Sequence, residues 1–185
     1  YTEQTGTDNP FNGVDVGDNA APAVVDLDND GDMDVVIGEG YGNLVYLKNT
    51  GTATNPVYTQ QTGTNNPFTG VSVIYNAAPA IVDLDVDGDM DVVIGANPGT
   101  LVYLKNKGNA TNPWFNSGTY DQQTGTDNPF NDVGVGGNAA PATVDLDNDG
   151  DVDLIVGNNA GNLLFYSRTR CAPTPRCGGR GKCIY

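Results

Sequence analysis

One nine-residue acidic loop occurs three times in this 185-residue chain and limits its fold more than any other feature. The copies fit the pattern D-x-D-x-D-G-x-x-D and begin at Asp26, Asp83 and Asp145, with spacings of 57 and 62 residues. The surrounding text recurs too, since residues 1–11 return as residues 58–68 and 120–130. A repeat of this length predicts tandem structural units, and it suits a four-stranded unit better than a single hairpin.

Short apolar stretches around each loop predict the strands of one copy. In the first copy we predict strands at residues 23–27, 34–38, 44–48 and 57–62. The second is apolar nearly throughout, as expected for a strand that is covered on both faces. Glycines and Asn-Pro pairs separate the strands, and no segment has the 3.6-residue period of an amphipathic helix. The sequence therefore predicts an all-β protein made of tandem four-stranded blades.

The acidic loops have the composition and spacing of calcium sites. Calcium takes about 6–8 oxygen ligands, glycine at the sixth position permits the sharp turn, and the seventh residue usually offers its backbone carbonyl. In the first loop the predicted side-chain ligands are Asp26, Asp28, Asp30 and Asp34, and Asp32 is the predicted main-chain ligand. The second loop supplies Asp83, Asp85, Asp87, Asp89 and Asp91 in the same order, and the third supplies Asp145, Asp147, Asp149, Asp151 and Asp153.

The charge distribution favours the same interpretation. The chain has a formal net charge of −15, and fifteen of its 23 acidic residues lie in the three loops. Five aspartates within nine residues repel one another unless a cation lies among them. Solubilising acidic turns are the alternative, but such turns need not repeat one spacing and one glycine. We therefore predict three calcium ions, and the net charge argues against nucleic acid and anionic membranes as partners.

The residues that follow each loop identify the type of site. A helix–loop–helix calcium hand needs a glutamate at the twelfth position, where this chain has Ile37, Ile94 and Val156. The acidic loop, then Asp-Val-Val-Ile-Gly, then Gly-x-Leu-x-Tyr, resembles the FG-GAP repeats of integrin α-subunit propellers. It resembles still more the FG-GAP-like (VCBS-type) repeats of secreted microbial and algal proteins. The resemblance covers about residues 1–170 and implies β-propeller blades with calcium between the first two strands. The Phe-Gly signature is replaced here by Asn-Ala-Ala-Pro-Ala, and Gly-Ala-Pro is kept only in part, in residues 94–97.

The repeat divides the chain into blades of about residues 1–57, 58–119 and 120–170, followed by a tail of residues 171–185. Segments of the fourth-strand type occur at residues 2–5, 57–62 and 119–123, so the first precedes any blade and the third blade has none after Ser167. The spare strand could complete the last blade of its own chain. It could instead complete that of the next molecule and propagate a filament, or the chain could be part of a larger array.

The tail carries the three cysteines, Cys171, Cys177 and Cys183. Residues 177–183 resemble the opening of an EGF-like module, and that family's pairing implies a Cys171–Cys183 disulfide with Cys177 left for a partner beyond the tail. A free tail with unpaired cysteines is the alternative. An odd count suggests a disulfide module cut short and an oxidising compartment. Because Tyr1 opens directly into repeat sequence, we expect a mature or trimmed segment.

Smaller signals complete the prediction. Asn109 begins an N-glycosylation sequon, and Tyr46, Tyr103 and Tyr166 are predicted to hold one equivalent strand position between blades. Histidine is absent, and no serine is framed by an acid–base pair, so we do not expect an enzyme. No apolar run approaches the roughly 20 residues of a membrane span. We expect an extracellular, calcium-stabilised structural or adhesion module that associates with itself or another protein. A carbohydrate-binding, lectin-like propeller is the alternative. It is disfavoured because the chain has a single tryptophan, whereas repeated sugar sites would need repeated aromatic residues.

Overall fold

A computed structural model describes residues 1–115 and 127–168, together with the backbone of residues 122–123. The described residues form an all-β protein of three small antiparallel sheets, one for each copy of the repeat. Two short 3-10 turns, Gly6–Asp8 and Gly63–Asn65, also lie among the described residues. The prediction of an all-β fold is confirmed, whereas a closed propeller ring is not found in the described part of the chain.

The strands follow one another within each sheet in chain order. Sheet 1 contains β1 (Ala21–Val25), β2 (Asp34–Gly38), β3 (Leu44–Asn49) and β4 (Tyr58–Gln61). Sheet 2 contains β5 (Tyr75–Val82), β6 (Asp91–Asn97), β7 (Leu101–Leu104) and β8 (Gln122–Gln123). Sheet 3 contains β9 (Ala140–Val144), β10 (Asp153–Gly157) and β11 (Leu163–Tyr166).

The predicted strands of the first copy agree with sheet 1 to within two residues. The second predicted strand has the bounds of β2, whereas β1 begins and ends two residues earlier than predicted. It ends earlier because Asp26 turns away into the acidic loop, where its carboxylate accepts backbone hydrogen bonds from Asp30 and Gly31. Each predicted loop therefore joins the first and second strands of its sheet.

The segment at residues 2–5, predicted as a spare strand, forms no strand within the single chain. Residues 1–5 have no strand pairing and are exposed. Segments of this type form strands only against the third strand of a sheet, as β4 does against β3 and β8 against β7. Sheet 3 offers the equivalent edge at β11, but within the described residues β11 pairs only with β10. The alternative in which the chain completes its own last blade is thus not found in this structure.

Apolar side chains fill the two spaces between neighbouring sheets. Between sheets 1 and 2, Tyr46 and Val36 pack with Phe68, whose ring meets that of Tyr46 edge-on at 6.4 Å. Between sheets 2 and 3, Val93 and Leu101 pack with Val135 and Ala139 of the third copy. In both spaces the covering residues come from a stretch that runs from the fourth strand of one sheet to the first strand of the next. We call these stretches lead-in segments; they comprise residues 1–20, 58–77 and, in the third copy, 120–139, of which 127–139 are described with side chains.

The lead-in segments also join the sheets through polar contacts. Asn19 donates a hydrogen bond from Nδ2 to Oδ1 of Asn76 at 3.0 Å, and Asn76 donates in the same way to Asn138 at 2.9 Å. All three asparagines have left-handed backbones, with φ of 56°, 53° and 54°, a conformation that asparagine tolerates better than most residues. This asparagine ladder runs along the line where the first strands of the three sheets meet, and it repeats from sheet to sheet in one direction.

The strand register corrects one predicted equivalence. Tyr46 lies opposite Val36 and Tyr103 lies opposite Val93, and the matching pair in sheet 3 is Phe165 with Ile155. Phe165 is therefore the equivalent of the two tyrosines, whereas Tyr166 points to the other face and packs against the core between sheets 2 and 3. Packing between sheets is confirmed for Tyr46, Tyr103 is 5% exposed, and the strand position predicted for Tyr166 was wrong by one residue.

Candidate metal centres

Backbone hydrogen bonds to the first aspartate curl each acidic loop. The carboxylate of Asp26 accepts from the backbone N–H of Asp30 at 3.0 Å and of Gly31 at 2.9 Å. The carboxylates of Asp83 and Asp145 make equivalent contacts, with Gly88 N at 3.0 Å and Gly150 N at 3.1 Å. The loop thus folds around its first carboxylate, and the later carboxylates converge on it.

Two positions of every loop have left-handed backbones. The glycine at the sixth position adopts φ of 93°, 96° and 88° in the three loops, which explains why the repeat keeps glycine there. The fourth position is left-handed as well, and it carries Asn29, Asn148 and, in the second loop, Val86 with φ of 64°. A β-branched residue is strained in this region, so the second loop stores strain that the other two avoid.

The curled loops bring together three of the four predicted side-chain ligands in each loop and leave out Asp34, Asp87 and Asp149. In each loop three carboxylates offer oxygens that all lie within 4.8 Å of one another. The three groups are Asp26, Asp28 and Asp30; Asp83, Asp85 and Asp91; and Asp145, Asp147 and Asp153. Asp32, Asp89 and Asp151, predicted as backbone ligands, are not members of these side-chain groups among the described residues. Clusters of this kind could hold metal ions, and three sets of hard oxygen donors are compatible with calcium.

Buried, unpaired oxygens support this fit. Oδ1 atoms of Asp28, Asp89 and Asp145 are buried, and within the described residues they have no hydrogen-bond partner. Leaving such an oxygen without a partner carries a desolvation penalty, which is larger when the group is charged. In the first and third loops the unpaired oxygen belongs to a carboxylate of the cluster, and in the second loop it belongs to the neighbouring Asp89. Unused acceptor oxygens of this kind are what a site for a hard cation requires.

The ninth aspartate of each loop is buried and fixes the loop to the sheet. Asp34 is 0% exposed, and its two oxygens accept from the hydroxyl of Tyr46 and the backbone N–H of Asn49, both at 2.7 Å. Asp91 accepts equivalent bonds from Tyr103 and Asn106, each at 2.8 Å. These contacts were not predicted from the sequence, although the Gly-x-Leu-x-Tyr pattern placed a hydroxyl at the same strand position twice.

Burial makes ionisation of these carboxyls unfavourable. Desolvation raises the pKa of Asp91 to about 6, against the lowering effect of the bonds from Asn106 and Tyr103. Desolvation likewise raises the pKa of Asp34, with Asn49 and Tyr46 opposing it. A buried carboxylate that is charged at neutral pH destabilises the fold unless positive charge lies near it.

Lysine side chains provide positive charge in two loops. The ammonium of Lys48 forms ion pairs with Asp28 and, at 3.2 Å, with Asp30. Lys105 pairs in the same way with Asp85 and, at 3.1 Å, with Asp87. The hydrogen bond to Asp28 is the main cause that raises the pKa of Lys48. The lysines contact carboxylates that are predicted to bind calcium, and their ammonium groups offset part of the negative charge of these loops.

The third loop is built differently. Ser167 occupies the position of Lys48 and Lys105, and Phe165 occupies that of Tyr46 and Tyr103. Asp153 is nevertheless 1% exposed and accepts from the backbone N–H of Leu146 at 3.1 Å and of Arg168 at 2.9 Å. The three predicted sites therefore share their carboxylates but differ in the residues that surround them.

The other predicted site residues fall outside the loops. Asn109 lies in an exposed turn, where its Oδ1 accepts hydrogen bonds from Thr111 and Asn112. Cys171 and Cys183 lie outside the described residues, so their disulfide stays a prediction. A cleft of about 420 Å³ adjoins the first loop, and its lining includes Asp28, Lys48 and the single tryptophan, Trp114.

A comparison with protein families now bears on the repeat. A family model described as "FG-GAP-like repeat" matches residues 26–94. The match runs from the first residue of loop 1 into β6, so it contains two complete loops, but it spans less than half of the chain. It supports a β-repeat module of integrin type, and it does not reach the VCBS-type subfamily or the EGF-like tail, which stay predictions. No curated protein matches the chain, and no solved structure matches it. Within the described residues no helix is long and apolar enough to cross a membrane.

Proposed function

We propose that this chain is an extracellular, calcium-stabilised structural or adhesion module rather than an enzyme. The observation that carries the proposal is that three equivalent loops each gather carboxylate oxygens within 4.8 Å of one another. Such clusters are repulsive when empty, so their threefold repetition favours a role in binding cations. In this role the bound cations fix the position of the strands, because the loops join the first two strands of every sheet.

Calcium bound in a loop would supply the positive charge that neutralises the clustered carboxylates. Asp26, Asp28 and Asp30 would hold it in the first loop, and the clustered residues of the other loops would do so there. Asp34 would connect the site to the sheet through its bonds to Tyr46 and Asn49. Binding would thus be coupled to the order of the loop and of the second strand.

Several observations favour the extracellular space. FG-GAP repeats are typically extracellular, and extracellular calcium modules commonly bind with Kd of about 0.1–1 mM, which suits the calcium level outside cells. The three cysteines of the tail and the exposed Asn109 sequon fit disulfide formation and glycosylation there. Another protein, or a second copy of this chain, is the partner we propose; the charge of −15 disfavours nucleic acid.

Thermal unfolding with and without calcium tests this function. If calcium is present at about ten times Kd, each site contributes about 1.4 kcal/mol, and three sites together raise Tm by roughly 10 °C. The triple variant Asp28→Asn/Asp85→Asn/Asp147→Asn removes one charged ligand from every loop with little change of shape. It should lose most of the calcium-induced rise, and magnesium at the same concentration serves as the ion control. An equal Tm with calcium and with chelator in the wild-type chain would contradict the function.

Glycan binding is a second candidate, favoured by the cleft beside the first loop. Trp114 is 41% exposed and lines this cleft, and its neighbours there include Tyr46, Gln61, Asn65 and Asn112. An exposed aromatic ring beside amide groups is a surface on which a sugar can stack and form hydrogen bonds. A glycan array with Trp114→Ala, and with Tyr41→Ala as a control aromatic elsewhere, tests it. Binding that Trp114→Ala leaves intact would exclude the cleft.

A further inference from the structure

The outer face of sheet 3 is apolar and exposed, unlike the equivalent faces of the other sheets. Leu163 is 79% exposed and Phe165 is 49% exposed. Their equivalents in sheet 1, Leu44 and Tyr46, are 4% and 3% exposed, and those in sheet 2 are just as buried. Adjacent exposed apolar side chains of this size mark an interaction surface more often than a solvent face.

Within the chain, such a face is covered by the lead-in segment of the next copy. Phe68, Val71 and Val73 of the second lead-in segment are buried against Leu44 and Tyr46. The backbone of that segment is held too, since Val73 N donates to Gly42 O at 2.8 Å and Ala77 N donates to Glu39 O at 3.1 Å. Between sheets 2 and 3 the same contacts recur, with Val135 N to Gly99 O at 3.1 Å.

Gly157 on sheet 3 also indicates that a lead-in segment covers this face. A Cβ on Gly38 would lie 2.0 Å from Ala77 O, and one on Gly95 would lie 2.2 Å from Ala139 O, so both glycines are required by the approaching lead-in segment. Gly157 is their equivalent in sheet 3, where the nearest atom to such a Cβ is 3.7 Å away. Its φ is not left-handed, so neither backbone conformation nor crowding within the described residues requires glycine there.

The complementary surface lies at the other end of the molecule. Residues 1–20 are a lead-in segment with no sheet before it among the described residues. Val14 is 39% exposed, whereas its equivalent Val71 is 8% exposed. The two ends of the asparagine ladder are complementary. Within the described residues, the side-chain amide of Asn138 donates no further bond, and Oδ1 of Asn19 accepts none. Residues 1–4 also match the β4 sequence at three of four positions, and β4 pairs with the edge of β3 that corresponds to β11.

We propose that residues 1–20 of one copy of this chain dock on the outer face and free β11 edge of sheet 3 in a second copy. Phe11 and Val14 then cover Leu163 and Phe165, and residues 1–4 supply the missing fourth strand of sheet 3 by strand addition. The contact is heterologous, because each copy uses two different surfaces. It therefore builds chains of copies unless the rotation closes a ring. The proposal goes beyond calcium binding and does not rest on it, since its contacts are apolar groups and backbone.

Complementation between two blocked variants tests the proposal. Val14→Glu blocks the docking segment, and Phe165→Glu blocks the receiving face; each leaves the other surface intact, and both positions are exposed in the single chain. Molar mass is measured by light scattering for each variant alone and for their equimolar mixture, at about 150 mM salt to screen the repulsion between acidic copies. Gly157→Val is a second block of the receiving face that adds no charge, and Val57→Glu, at a 52% exposed residue elsewhere, is the control.

The wild-type chain and Val57→Glu should exceed 19.3 kDa and grow with concentration. Val14→Glu, Phe165→Glu and Gly157→Val should each stay at 19.3 kDa. A mixture of Val14→Glu with Phe165→Glu should give a dimer that does not grow, because only one contact can form. A wild-type mass of 19.3 kDa at up to about 1 mM protein, where a contact worth about 4 kcal/mol is half formed, would overturn the proposal. So would assembly by Phe165→Glu and Gly157→Val that equals that of the wild type.

Discussion

Lys48 on β3 forms an ion pair with Asp28 of the acidic loop, although the two residues lie 20 positions apart in the chain. The pairing of β2 with β3 places them together, because it returns the end of β3 to the loop that precedes β2. The same lysine–aspartate pair recurs in sheet 2 through Lys105 and Asp85. If calcium occupies the loops as proposed, an ammonium group and a calcium ion compete for one carboxylate in two of the three loops.

Replacing Lys48 by glutamine should change stability in opposite directions with and without calcium. In chelator, Lys48→Gln removes the cation that offsets the loop carboxylates, so we expect a loss of about 0.5–1 kcal/mol, as for a partly exposed ion pair. In calcium, the variant loses a competitor, and the affinity of the first loop should rise roughly tenfold. Calcium titrations followed by NMR at the amide of Gly31 measure this affinity, and the amide of Gly88 in the unchanged second loop is the internal control.

The reverse exchange provides the matched test. Ser167→Lys places a lysine at the equivalent position of sheet 3 and should lower the calcium affinity of the third loop. If Lys48→Gln and Ser167→Lys both leave calcium affinity unchanged, the lysines do not compete for the sites.

The second loop should become more stable when Val86 is replaced by asparagine. Val86 has φ of 64°, in a region where the first and third loops have asparagine. Relief of this strain should raise the free energy of unfolding by about 1 kcal/mol, as measured by urea unfolding in chelator. Asn29→Val is the reciprocal control and should lower it by a similar amount in the first loop. Two changes of the same sign would argue against backbone strain as the cause.

The hydroxyl of Tyr103 should stabilise the buried carboxylate of Asp91. Its bond of 2.8 Å is made where the carboxylate is fully buried, so Tyr103→Phe should lower the free energy of unfolding by about 1–3 kcal/mol. Tyr58→Phe removes a hydroxyl that donates to Met33 O at 3.1 Å in an exposed setting, and its effect should stay within about 0.5 kcal/mol. Urea unfolding measures both variants. Equal decreases in the free energy of unfolding would mean that the burial of Asp91 does not determine the effect of removing the hydroxyl.

The features that depend only on neighbouring residues could be predicted from the sequence. The bounds of β2 and the curl of each loop follow from short-range patterns, namely an apolar run and a glycine that must be left-handed. The clustering of Asp26, Asp28 and Asp30 follows from their spacing on that loop. Such features need no knowledge of how one sheet packs on another, so sequence was sufficient to predict them.

Features that depend on pairing between distant segments were missed or misplaced. The contact of Lys48 with Asp28 needs the β2–β3 register, and the burial of Asp34 needs the hydroxyl of Tyr46 from the next strand. The same register shows that Phe165, not Tyr166, is the equivalent of Tyr46. Residues 1–4 match β4 at three of four positions, yet a strand forms only when an edge is available to receive it.

Isothermal titration of the metal-free chain with calcium tests the central claim most directly, because it counts sites as well as measuring affinity. Three equivalent loops predict a stoichiometry of three calcium ions per chain, with Kd of about 0.1–1 mM. The single variants Asp28→Asn, Asp85→Asn and Asp147→Asn should each reduce the stoichiometry to two. A wild-type chain that takes up no calcium at these concentrations, or a stoichiometry that no variant changes, would contradict the account.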